Sequence, residues 1–381
     1  MDNNIIPIFD EQKCTLFALG RNAMYAAVSA LGLKSGDEVL TPAFDCDGSL
    51  QPFRALRLKL RFFRSDPYTF NADINDIKRK VSAKTKLLHI INHFGFPQEW
   101  KKLSSLRYES GIPILEDNAY SLFSKSDGKP FGSFGDFSIF SLRKNLPLAE
   151  GGMLRINNPF YAFKFSLRES RPPVYLKAYN FFYGRKNNLG VYKQLKKLKC
   201  FARRIRVLRE PPPPLFSQSD KTYPAWPPRD IIGREFSRDY LRPISGLAKA
   251  QIEGFSGQYY ADVCRRKHEF YLWLSGQISQ IKKFHILWPD LPEGAVPFCF
   301  SFLVDKNRDL LLKTLRRKYD VMAWPTLSGE VIEQLDDFPD VSLLGRKILQ
   351  INLPADKVCQ QDFPCYLRDL TGDLFRWSGA G

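Results

Sequence analysis

Between Gly20 and about residue 156 the apolar positions alternate between two rhythms. Met24, Ala27 and Leu31 recur at helical spacing and Gly32 closes the run, which predicts a helix over Gly20 to Leu31. Glu38 to Thr41 reads as a strand stopped by Pro42. A helix over Ser49 to Leu56 and a strand over Leu60 to Phe63 follow. The alternation continues with a helix from Ile74 to Val81 and a buried strand from Lys86 to Ile91. Then come a helix from Trp100 to Ser110, a strand from Ile112 to Leu115 and a strand-like apolar run after Asp136.

Strands and helices alternating in this way imply an α/β domain built on a mainly parallel sheet flanked by helices. Ligands in such sheets collect at the carboxyl ends of the strands. Pro42 to Asp47, His93 to Gly95, Asp117 to Tyr120 and Ser141 to Lys144 all fall there.

Residues 157–240 break the rhythm. They are basic and aromatic, and prolines at 211–214, 224, 227 and 228 mark an irregular connection. After Pro243 one long helix is expected from about Ser245 to Leu274. Strands are expected at Pro297 to Val304, near Val321 to Trp324 and at Lys347 to Leu353, with a helix at Arg308 to Tyr319. The pattern divides the chain into a large α/β domain (15–160), a basic, proline-rich helical insertion (161–242) and a small carboxyl-terminal α+β domain (243–381).

Composition adds a bias rather than a fold. Fifty-seven Lys and Arg against 40 acids give a formal charge of +17, which favours anionic partners. The seven cysteines are scattered and never in C-x-x-C spacing, which argues for a reducing compartment and against a disulfide framework or zinc site. His89 and His93 are four apart but lie on a strand and its end with no acid to complete a set, so no metal site is expected. The amino-terminal residues carry no positive stretch leading into an apolar run, and no segment approaches the roughly 18 apolar residues of a spanning helix. A cytoplasmic protein is the expectation.

The candidate chemistry lies at strand ends. Phe137 to Phe140 runs into Ser141-Leu142-Arg143-Lys144, and Pro113 to Glu116 runs into Asp117. A lysine able to form an imine, an acid able to hold a pyridinium and a hydroxyl for a phosphate are the protein parts of a pyridoxal phosphate site. Lys144 supplies the amine and the general base, Asp117 the acid, and Ser141 or Ser138 the hydroxyl. Gly20, Arg21 and Asn22 open the first helix, whose free N–H groups suit a phosphate and to which Arg21 adds charge. An ordinary helix start would account for the same residues.

Taken in order, these pieces resemble the DegT/DnrJ/EryC1/StrS family of fold-type-I pyridoxal phosphate enzymes, best known as sugar-nucleotide aminotransferases. The resemblance runs through Gly20 to Met24, Leu33 to Pro42, His93 to Pro97, Leu115 to Ala119, Gly132 to Asp136, and Arg143-Lys144 up to Gly151-Gly152. A weaker echo follows through the small domain. The resemblance implies pyridoxal 5'-phosphate as cofactor, Lys144 as the imine lysine, Asp117 as the pyridinium partner and Gly20-Arg21 as part of the phosphate cup. It also implies a homodimer with shared active sites, glutamate as amino donor and a keto group of a nucleotide-linked sugar as acceptor, in polysaccharide or cell-surface glycan biosynthesis.

Three departures stand out. Arg21 replaces the usual Thr or Ser, so a guanidinium stands in for a hydroxyl. Cys46 falls where an aromatic residue often stacks on the cofactor ring, with Phe44 and His93 as nearby alternatives. Tyr120 replaces the Gln or His that commonly follows the aspartate, with a hydroxyl suited to the cofactor's 3-oxygen. Counting back from Gly151 leaves the lysine register open between residues 143 and 144. Imine chemistry selects Lys144, because Arg143 stays protonated.

Relatives that lack the lysine act as dehydratases, so Lys144 tilts the chain towards amino transfer. Dehydration or an amino-acid transformation on the same cofactor is the first rival. A degenerate, membrane-associated scaffold is the second. The departures at Cys46 and Arg21 are its basis, and its membrane contact would be residues 191–209, a run with one apolar side and eight cations, Lys193 to Arg209. Such a helix suits the inner face of an anionic membrane, a nucleotide-diphosphate sugar, or simple docking with a solvated basic face. No nucleic-acid motif accompanies the charge.

Overall fold

The computed structural model describes residues 13–148, 150–161, 167, 239–316 and 319–353. The chain opens with β1 (Cys14–Phe17), α1 (Gly20–Ala30), β2 (Glu38–Pro42), α2 (Asp47–Ala55) and β3 (Lys59–Phe63). It continues with α3 (Ile74–Lys80), β4 (Thr85–Ile91), α4 (Trp100–Ser110) and β5 (Ile114–Asn118). A short hairpin, β6 (Lys125–Ser126) and β7 (Lys129–Pro130), leads to β8 (Phe137–Phe140), α5 (Leu142–Asn145) and β9 (Gly152–Ile156).

Seven of these strands form one sheet in the order β1-β9-β8-β5-β4-β2-β3. Neighbours from β8 through β3 run parallel, while β9 is antiparallel to both β8 and β1. The sheet is thus mainly parallel, as its alternating rhythm predicts. Its two faces are covered differently. Leu40, Leu88, Ile90 and Ile114 pack under α3 and α4, against Ile77, Trp100, Leu103 and Leu106. Val39, Leu87, Leu115, Phe137 and Ile139 face α1 and α2, with Ala23, Ala27, Val28 and Phe53 in the same core. Alternation along each strand produces this division.

After residue 238 the chain forms α6 (Gly246–Glu253), α7 (Gly257–Ile278), β10 (Phe284–Ile286) and β11 (Cys299–Val304). It ends in α8 (Arg308–Leu315), β12 (Val321–Met322), α9 (Gly329–Glu333), α10 (Pro339–Lys347) and β13 (Ile348–Asn352). These four strands make an antiparallel sheet, β10-β11-β13-β12. Several contacts hold it to the large sheet, two of them near the strand ends. Arg54 donates from Nε and Nη2 to both oxygens of Glu330 at 3.0 and 2.8 Å, and the Phe298 N–H donates to the Phe94 carbonyl at 2.7 Å.

Two expectations need correction. The long helix after Ser245 is two helices, because the chain turns at Gly254 and Phe255 and the Ser256 hydroxyl caps a new start by accepting from the Tyr259 N–H. The strand read at Ile112 to Leu115 starts at Ile114 and continues to Asn118, so Asp117 is in the strand rather than after it. Ile252 and Tyr260 bury against Phe140, Leu142 and Leu146. The basic helix read at 191–209 and the proline-rich connection lie outside the described residues.

Candidate active site

Asp117 ends β5 next to two strands that also finish here. It pairs in register with Ile91 of β4 and Ile139 of β8 and is 3% exposed. Its Oδ1 accepts from the Ala119 N–H at 2.7 Å, and Oδ2 lies 3.3 Å from His89 Nε2. His89, fully buried, is two residues back on β4 and on the same face. Its Nδ1 is 2.9 Å from the Thr41 hydroxyl on β2, and Phe53 of α2 packs edge-on against its ring. Thr41, His89 and Asp117 therefore form a polar row across three parallel strands.

Lys144 enters from α5. Its Nζ sits 3.6 Å from the centroid of the Tyr120 ring, and among the described residues no carboxylate pairs with it. Burial lowers its pKa to about 8, against the opposing pull of Cys46 and Asp117, and with Arg143 and Arg21 adding to the depression. Lys144 thus reaches the group of Asp117, Cys46 and Tyr120. Burial pushes the Tyr120 hydroxyl well above its ordinary range and the Cys46 thiol up to about 11. Both are protonated at neutral pH.

The helix starts lie on the other side. Leu19 precedes α1 in extended backbone and no side chain caps the first turn. Gly20 is pressed so close to the chain after β8 that a Cβ there would lie 3.3 Å from Ser141 Cβ and 3.4 Å from the Phe140 carbonyl. Arg21 Nη1 donates to Gln51 Oε1 at 3.0 Å, and its guanidinium fills the space in front of Gly48 at the start of α2. Asp45 is 4% exposed and organises that start. Its Oδ1 accepts from the Cys46 N–H at 2.6 Å and Oδ2 accepts from the Ser49 hydroxyl. Burial raises the Asp45 carboxyl to about 6.

Gly20, Arg21, Cys46, Asp117, Tyr120, Ser141 and Lys144 are therefore brought to one edge of the sheet. Asn22 and Ser138 are not. Asn22 Nδ2 donates to the carbonyls of Asp239 and Tyr240, at 2.9 and 3.0 Å, and ties down the returning chain. Ser138 pairs in register with Glu116, on the face opposite Asp117, and its hydroxyl donates to Glu116 Oε2 at 3.0 Å. Glu116 also accepts from the N–H groups of Gly132, Phe134 and Gly135, and so fixes the loop that feeds β8 and Lys144.

The small domain closes the site with aromatic rings. Trp324 meets Phe44, His93, Phe94 and Tyr120 edge-on or tilted at 5.2–6.0 Å, and Phe298 lies 4.7 Å from Tyr120. His93 is buried among them. Its Nε2–H donates to the Phe44 carbonyl at 3.0 Å, and burial lowers its pKa to about 4.

These residues fit a pyridoxal phosphate group. A lysine with a lowered pKa and, among the described residues, no acid partner lies at one sheet edge with a buried carboxylate and an uncapped helix start held close to Ser141. Residues 8–190 match the model of the DegT/DnrJ/EryC1/StrS aminotransferase family. Those residues belong to it. Over 149 residues the chain is 32% identical to GDP-perosamine synthase of Escherichia coli O157:H7, covering 39% of this chain and 41% of that protein. Over 121 residues it is 31% identical to GDP-4-keto-6-deoxy-D-mannose 3-dehydratase of Yersinia pseudotuberculosis, covering 31% of each. The chain spans well under half the length of either curated relative.

Among solved structures, an aminotransferase, TlmJ, from Streptoalloteichus hindustanus superimposes with a TM-score of 0.67 over 97% of this chain and 87% of its own, at 17% identity. E. coli GDP-4-keto-6-deoxy-D-mannose-3-dehydratase with bound hydrated PLP gives 0.61 over 93% and 86%, also at 17%. The fold is the fold-type-I architecture expected from the sequence.

The polar row was not read from the sequence. His89 was weighed there only as a metal ligand, and Thr41 and Asp45 carried no role. The available signal was a histidine inside the apolar run Leu87 to Ile91, two positions before the residue level with Asp117.

Proposed function

We propose that the protein is a pyridoxal phosphate-dependent aminotransferase, moving an amino group from glutamate to a keto group of a nucleotide-linked sugar. The observation that carries this reading is the convergence of Lys144 and Asp117 beside the start of α1. When bound, the cofactor supplies an electron sink that stabilises negative charge on a substrate carbon. Lys144 holds it and serves as the base. With a pKa of about 8, roughly a tenth of its amine is neutral at pH 7, enough to take a proton from the donor's amino-bearing carbon and return it to the acceptor. Asp117 would hold the ring nitrogen in its protonated form. The α1 start with Ser141 and the Arg21 charge would receive the phosphate, and the protonated Tyr120 hydroxyl would donate to the 3-oxygen. The aromatic cover of Trp324, Phe94 and Phe298 excludes water.

A homodimer that completes each site belongs to the same reading. Dehydration is the second reading, supported by the dehydratases among the relatives. Lys144 favours transamination, and glutamate separates the two. The visible absorbance of cofactor-loaded protein should bleach when glutamate is added and return with a keto-sugar nucleotide, and Lys144→Ala should abolish both changes. Cofactor binding without any response to glutamate would turn the reading to dehydration. No cofactor binding at all would end it.

A further inference from the structure

We infer that His89 is a positioning residue for Asp117, held in one orientation by Thr41, so that the cofactor's ring nitrogen meets a fixed, ionised carboxylate. The inference rests on the proposed pyridoxal phosphate reading and assigns a role to two residues outside the lysine–aspartate pair.

The geometry supplies the argument. An ionised carboxylate only accepts hydrogen bonds, so the contact at 3.3 Å requires the hydrogen on His89 Nε2. With Nε2 carrying the hydrogen, a neutral ring accepts at Nδ1, and the Thr41 hydroxyl at 2.9 Å is the donor placed to supply it. Both residues are fully buried, and Phe53 packs edge-on against the imidazole at 5.3 Å, so the ring has no room to turn. The second oxygen of Asp117 is taken by the Ala119 N–H at 2.7 Å. Asp117 is thereby fixed at both oxygens.

The arrangement comes from the sheet. Thr41, His89 and Asp117 come from adjacent parallel strands and share one face, with Asp117 outermost. A bulge between Glu38 and Val39 sets the β2 register that brings Thr41 level with His89. Other charged or titratable groups that act on this row are Asp45 beyond the end of β2, His93 beyond the end of β4 and Lys144 from α5. Removing the imidazole would leave Asp117 Oδ2 buried without its donor, which favours the protonated acid and a deprotonated ring nitrogen.

The test uses the full chain and added pyridoxal phosphate. His89→Leu, His89→Gln and Thr41→Val are compared with wild type by equilibrium cofactor titration, by the pH midpoint of the bound cofactor's visible absorbance, and by thermal melting of the cofactor-free forms. The expected result is about tenfold weaker cofactor binding in His89→Leu and a midpoint moved by about one pH unit. Thr41→Val should give a smaller change in the same direction. Gln, which keeps an N–H at that reach, should restore part of both.

Wild-type affinity and midpoint in a folded His89→Leu would overturn the inference. If that variant does not fold, Thr41→Val decides: a wild-type midpoint there overturns it and a shifted one supports it. Failure of wild type itself to take up cofactor would instead overturn the functional reading beneath it, so the two failures are distinct.

Discussion

At pH 7 the imidazole of His93 is neutral, because burial among Phe44, Phe70, Phe94 and Trp324 lowers its pKa to about 4 from an ordinary 6.5. Between those values the unfolded chain binds a proton that the native chain refuses, so acidification costs stability, up to about 3 kcal/mol in total. Asp45 acts with the opposite sign. Its carboxyl is raised by burial to about 6, so the native chain takes up a proton first and stability rises as the pH falls below that value. Replacing one group separates them. In His93→Gln the acid-sensitive part disappears, and the variant should gain on wild type by about 1–2 kcal/mol between about pH 7 and about pH 5 in urea melts. A difference between the two proteins that does not change with pH would contradict this account.

Residues with distinctive chemistry were legible in the sequence, since only a lysine forms the imine and Asp117 closes the run before it. His89 was not legible, because its meaning depends on which strands lie beside β4. Ser138 and Ser141 were equal candidates for the same reason. Strand alternation and the parallel register put one beneath the sheet on Glu116 and bring the other against Gly20.

Among the elements, α1 has the tightest seat. A Cβ on Gly152 of β9 would lie 2.1 Å from the Leu19 carbonyl and 2.6 Å from the Gly20 nitrogen, both backbone atoms that a side chain cannot move aside. Gly152→Ala should therefore cost about 1–3 kcal/mol in thermal or urea unfolding. It should also weaken cofactor uptake, because the displaced atoms form the start of α1. Wild-type stability and uptake would show that this approach is not needed.

Elements with a clean apolar period, such as α4 and β4, were read nearly to their ends. The break between α6 and α7 was missed because a glycine is tolerated inside a helix, and only the Ser256 cap marks a restart. The edge strand β1 and its neighbour β9 were missed because short segments beside glycines give little period to read. The pairing of β9 with β1 on one side and β8 on the other is settled by long-range contact.

On the scale of the whole molecule, the large sheet supplies the chemistry and the small sheet covers it. Trp324 and Phe298 come from the cover, and Arg54 with Glu330 holds it to α2. Alternating β and α elements made the first part legible, while the seating of the cover depends on contacts hundreds of residues apart. Among the described residues no helix is long and apolar enough to cross a membrane.

The central claim is that Lys144 is the residue that holds the cofactor. The direct measurement is reduction of the pyridoxal phosphate-loaded protein with borohydride, followed by peptide mapping by mass spectrometry. The account predicts one dominant phosphopyridoxyl group, on Lys144, absent from a folded Lys144→Ala. An unmodified Lys144 in folded protein, or label scattered over surface lysines, would contradict it.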